Sequence, residues 1–119
     1  MPTVREMLLG VPAQGNLTIV GAEVVIIGTI PFVHVTTSDG LVGLGQASYG
    51  EDANESLAIA TFFREEVATR ALGLPAAYPP FVRERLIWDN YKTSGALLFR
   101  SVAGIDTALW DLAGKRAGK

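Results

Sequence analysis

The chain has 119 residues, 49% of them hydrophobic and 18% charged, with a formal net charge of −2. That size and balance describe one globular domain with one core and argue against a disordered segment. With no field of either sign there is no case for nucleic acid or an anionic membrane as partner. The absence of cysteine excludes disulfides, thiolate metal sites and Cys nucleophiles, and fits a reducing cytoplasm, the expected location.

Residues 1–18 lack a clear period and read as a poorly specified leader. Their only apolar run, Met7-Leu8-Leu9, is too short for a signal-peptide core. From Ile19 the pattern becomes β-branched, and the stretch from Ile19 to Ile30 is too short, and too interrupted by Glu23, to span a bilayer. Ala22 to Ile27 reads as a strand, residues 28–31 as a brief connection, and Phe32 to Thr37 as a second strand. Asp39-Gly40 matches a two-residue type I′ turn, and Leu41 to Ala47 returns as the third strand. That turn sets an expected register in which Val35 faces Leu44, His34 faces Gly45 and Val33 faces Gln46. Val33, Val35, Val42 and Leu44 would then form the core face. Gly43 and Gly45 would lie on the other face, beside Phe32, His34 and Thr36, where a neighbouring ring or backbone must come close.

After a loop at Ser48 to Asp52, Asp52 and Glu55 resemble a capping box. A helix should follow, with Leu57, Ala60, Phe63, Val67 and Ala71 as its buried stripe and Gly73 and Pro75 as its end. Pro79-Pro80 suits the start of a second helix, with Phe81, Val82, Leu86, Ile87, Trp88 and Tyr91 as a broad apolar face. A third helix runs from Leu98 to Ala117. Val102, Ile105, Leu109 and Leu112 form its buried seam, and Gly104 and Ala108 stack one turn apart, a sign of close packing. The expected fold class is therefore α+β: a three-stranded antiparallel meander followed by a bundle of three helices.

Few residues suggest chemistry on their own. His34, the only histidine, has no acid nearby in the expected register and reads as structural. Asp106 and Asp111 lie about 140° apart around a helix, so they cannot share one metal unaided; Asp111 is better placed to pair with Lys115. Arg64, Glu65, Glu66 and Arg70 read as a solvated helix face. Gly43-x-Gly45 sits inside a strand and is no nucleotide loop. Tyr49 and Glu51 occupy a loop at a strand end, a position that often carries function.

Two stretches together resemble one family. They are VHVTTSDGLVGLGQAS (33–48) and VAGIDTALWDLAGKRAGK (102–119). The pair looks like the N-terminal capping domain of the enolase superfamily, in its mandelate racemase and muconate lactonizing enzyme branch, over residues 19–119. The resemblance implies a domain that packs over a C-terminal (β/α) barrel whose strands carry Mg²⁺ ligands and catalytic bases. Such enzymes, lyases or isomerases, remove the proton α to a small carboxylate substrate, and a sugar-acid dehydratase is one form. The complete enzyme would be a homo-oligomer. A barrel takes about 250 residues, and this sequence stops at Lys119, where it would begin. The resemblance therefore assigns no catalytic residue and no metal ligand to this chain. It assigns substrate selection to residues 28–31 and to the loop with Ser48, Tyr49 and Glu51. To Gly104, Asp106, Trp110, Asp111 and Lys115 it gives a structural role in joining cap to barrel. Gln46 stands where the family hairpin commonly ends in Glu, and the first loop is short, which covers less substrate. The other reading is a stand-alone, non-catalytic binding or vestigial module.

Overall fold

A computed structural model of the chain describes residues 17–47, 53–90 and 95–118. Three strands, β1 (Ile19–Ile27), β2 (Ile30–Thr37) and β3 (Val42–Gln46), form an antiparallel sheet in the order β1-β2-β3. The helices follow. The first, α1, runs over Ala53–Phe62, continues through a π-helical stretch (Phe63–Ala68) and finishes as Thr69–Ala71. Helix α2 spans Pro79–Asp89 and α3 spans Ala96–Arg116. The α+β meander and three helices expected from sequence are thus present.

The β1–β2 connection is a two-residue turn in which Gly28 takes φ 66° and Ile27 pairs with Ile30. Glycine at the first central position suits a II′ turn, whose twist matches the strands. At the other end of the sheet the N-terminal side of β1 is closed by residues from beyond α1. Ile19 donates to Leu74 O (3.0 Å) and accepts from Gly73 N (2.8 Å). Gly73, at φ 85°, ends α1 as its sequence predicts.

The second hairpin departs from the expected register. Thr37 N donates to Leu41 O (3.0 Å) and Gly40 N to Thr37 O (2.9 Å), so three residues, Ser38 to Gly40, make the loop. Among the described residues only glycines take positive φ; Gly40 does (85°) and Asp39 does not, which rules out type I′. Every β3 residue therefore shifts by one: Val33 pairs with Gly45, Val35 with Gly43 and His34 with Leu44. The core face carries Val33, Val35, Gly43 and Gly45, while Val42 and Leu44 are exposed. The physical reason is α3. A Cβ at Gly43 would lie 2.3 Å from Ala108 O, and one at Gly45 2.1 Å from Gly104 O. No side chain fits there, so the glycines must face the helix and the branched residues must face away. His34 accordingly stands between Leu44 and Glu23 in the sheet, not beside a glycine.

The core lies between this glycine-bearing face and the helices. It joins Ile19, Val33 and Val35 to Ile59, Phe63 and Val67 of α1, to Val82 and Leu86 of α2, and to Leu98, Val102, Ile105, Leu109 and Leu112 of α3. The α3 seam is as predicted. Leu57 is not in the core: it is 55% exposed, and Ser56 takes the inward place by donating its hydroxyl to Thr29 O. Trp88 is 67% exposed and so leaves the expected apolar face of α2. Arg70 pairs with Glu66 (2.7 Å) as an i,i+4 helix pair and also reaches Asn90 Oδ1 (2.6 Å), tying the end of α1 to the end of α2. Asp52 and Tyr91, named in the predicted cap and apolar face, lie outside the described residues.

Candidate functional site

Helix α3 carries the sequence-predicted motif, and its faces do different things. Gly104 and Ala108 sit on one stripe, in direct contact with β3. A Cβ at Gly104 would lie 2.5 Å from Val33 Cγ2. The small residues let the helix backbone touch the strand. Further along the same side, Asp111 and Lys115 reach past the sheet edge. Asp111 Oδ2 accepts from Leu44 N (2.9 Å) and Lys115 Nζ donates to Val42 O (2.9 Å). The two side chains also pair with each other at 2.9 Å, as their i,i+4 spacing predicts. The Leu44 N–H, then Lys115, hold the Asp111 carboxyl below its ordinary range.

The next residue, Arg116, closes the hairpin loop. Its Nε donates to Asp39 Oδ2 (3.0 Å), and its terminal nitrogen donates to Thr37 Oγ1 (2.8 Å) and Asp39 Oδ1 (3.2 Å). Thr37 Oγ1 in turn donates to Asp39 Oδ1 (2.5 Å). The Arg116 guanidinium, then the Thr37 hydroxyl, hold Asp39 well below the usual carboxylate range. Sequence reasoning missed Arg116. Its signal was present: a cation in the last turn of a long helix, and a hairpin loop with one carboxylate.

The opposite stripe of α3 faces outward. Phe99 is 52% and Trp110 55% exposed, and Ala103 and Asp106 stand between them at helical spacing. Asp106 and Asp111 are thus separated, as their spacing requires. Among the described residues no group of three His, Cys, Asp or Glu side chains could hold a metal ion. Ser48, Tyr49 and Glu51 lie outside the described residues. The described residues that follow them in sequence are anchored at two points. At the start of α1, Ser56 is bound to Thr29 O in the β1–β2 turn, and Glu55 pairs with Arg100 of α3.

Residues 6–119 match the model of the mandelate racemase / muconate lactonizing enzyme N-terminal domain. The chain belongs to this family. Similar proteins include a D-galactonate dehydratase family member of Paenibacillus sp. (strain JDR-2), 38% identical over 92 residues that cover 76% of this chain and 22% of that protein. A second, from Catenulispora acidiphila, is 37% identical over 83 residues, covering 70% of this chain and 19% of that protein. Among solved structures, an enolase from Pantoea ananatis with bound D-gluconate and Mg has a TM-score of 0.75 at 27% identity, covering 86% of this chain and 25% of that one. A mandelate racemase/muconate lactonizing protein from Paracoccus denitrificans complexed with magnesium has a TM-score of 0.74 at 26% identity, covering 87% and 28%. The chain thus spans about a fifth to a quarter of its curated relatives' length.

Proposed function

We propose that this chain is the substrate-capping domain of a Mg²⁺-dependent enzyme that abstracts the α-proton of a sugar acid, as a dehydratase does, and that it is not catalytic alone. The observation that carries the reading is the family match over residues 6–119 together with relatives of the D-galactonate dehydratase family. A neighbour with bound D-gluconate supports a polyhydroxy carboxylate as substrate. The partner is a C-terminal barrel, and the outward stripe of α3 supports it: two half-exposed aromatics, Phe99 and Trp110, lie on one outward stripe with Ala103 and Asp106, apolar surface that a partner would cover. No observation favours the stand-alone module.

The described residues do not fit a Mg²⁺ site, so the metal is assigned to the remainder of the enzyme. What this chain contributes is position. The β1–β2 turn and the loop with Ser48, Tyr49 and Glu51 cover the substrate, select its hydroxyl pattern and exclude water. Ser56 and Glu55 anchor the base of that loop to the β1–β2 turn and to α3. The complete enzyme is proposed to be a cytoplasmic homo-oligomer. The test is Tyr49→Ala in the complete enzyme, assayed over a panel of sugar acids with Mg²⁺. The ratio of kcat/KM between epimers should change while Mg²⁺ affinity stays constant. Unchanged ratios across the panel would refute the assignment.

A further inference from the structure

Among the described residues β3 is an edge strand, and its own sequence does nothing to protect that edge. Natural edges are usually blunted by charged residues, proline or bulges on the strand itself. Val42–Gln46 reads VGLGQ, with no charge and no proline. Its odd-numbered neighbours bond inward: Leu41 O accepts from Thr37 N and Ala47 N donates to Pro31 O. By alternation, the backbone groups of Val42, Leu44 and Gln46 point away from β2, toward the open side. Two of these outward groups, Leu44 N and Val42 O, are taken by Asp111 and Lys115 from α3. Their side chains lie where a fourth strand would have to run.

We propose that Asp111 and Lys115 form a lock on the β3 edge, and that the edge they close is a strand-pairing surface for a second copy of this chain. The edge is self-complementary. A two-fold axis at Leu44 would set Leu44 against Leu44 and Val42 against Gln46, antiparallel, with ladder bonds through the groups the lock occupies. No like charges would meet along the strand. On the outer face, Leu44 (52% exposed) would gain an apolar cross-strand neighbour in its counterpart on the second copy. Gatekeeping here is therefore supplied by a helix more than sixty residues away in sequence, which the contact separations of 67 and 73 residues show.

The test compares the 119-residue chain with its Asp111→Ala/Lys115→Ala variant by sedimentation velocity over a concentration series. The variant should associate at concentrations at least about tenfold lower than the unaltered chain, and adding Leu44→Lys to it should reverse the shift by setting like charges opposite each other. A folded variant that associates no more than the unaltered chain, or association that Leu44→Lys leaves intact, would overturn the proposal. Amide exchange on the unaltered chain gives a second reading that needs no variant to fold. The outward-facing Leu44 N–H should be protected; exchange at the rate of an open amide would overturn the lock.

Discussion

Gly45→Ala separates two opposite expectations. Glycine inside a strand costs roughly 0.5–1 kcal/mol relative to alanine, so local propensity alone makes the substitution stabilising. The structure makes it destabilising. The new Cβ would meet Gly104 O at 2.1 Å and Ala108 N at 2.7 Å, and both are backbone atoms of α3 that no side-chain rotation can move. Ordinary contact requires the helix to retreat by roughly 1 Å, and a gap of that size forfeits about a quarter to a half of the dispersion energy between the surfaces it parts. The seam at stake includes Ile105, Leu109 and Leu112, all nearly fully buried. Overpacking of this kind costs about 1–3 kcal/mol, occasionally more, and an immobile backbone neighbour puts this site at the upper end. The expected net effect is a loss of about 2–3 kcal/mol, read as a lower urea midpoint at unchanged slope. Gly114→Ala is the control. Its Cβ would meet nothing within 4 Å, so it should gain up to about 1 kcal/mol, the ordinary helix preference. If Gly45→Ala is neutral or stabilising, the argument that α3 sets the hairpin register fails.

Three further outcomes are expected. Ser101 is fully buried and its hydroxyl finds no partner among the described residues, so Ser101→Ala should raise stability by about 1 kcal/mol, seen as a Tm increase of a few degrees; a decrease would mean the hydroxyl is satisfied. Asp39 has a depressed folded-state pKa, so its contribution is present above the ordinary carboxylate pKa of about 3.9 and is lost as pH falls toward the folded value. The stability gap between the chain and Asp39→Asn should therefore be full at neutral pH and shrink in acid below about pH 4; a gap that widens in acid would contradict the Arg116 contact. Leu57→Gln should change stability by no more than about 0.5 kcal/mol, because the side chain is exposed, whereas Ile59→Ala, fully buried, should cost about 2–5 kcal/mol in the same denaturation assay.

Much of this fold is legible in local pattern. The Val102–Leu112 seam, the proline start of α2, the Gly73 stop and the Asp111–Lys115 pair all depend on residues within a few turns of each other. The hairpin register does not. Asp-Gly serves a two-residue I′ turn and also a three-residue loop with glycine in the left-handed region, and the choice between them is made by contact with Gly104 and Ala108, far along the chain. The glycines did announce a close backbone; their face could not be read without knowing which element supplies it. Leu57 fails for a related reason. The stripe 57-60-63-67-71 has helical spacing, but the inward place beside Ile59 and Ala60 goes to Ser56, whose hydroxyl has a carbonyl to satisfy in the β1–β2 turn. Trp88 sits about 200° around α2 from Leu86, and a broad apolar face hides such a difference. At the candidate site, the motif on α3 was visible in sequence, but the attachment of Asp111 and Lys115 to the β3 backbone, and of Arg116 to the hairpin loop, was not. Each joins a side chain to a partner that only the folded topology brings near.

Whether this domain serves a barrel that completes the enzyme is decided by the intact mass of the native protein in its source cells. The expected mass is several times that of the 119-residue chain, with room for a barrel of about 250 residues. A native mass equal to that of this chain alone would contradict it.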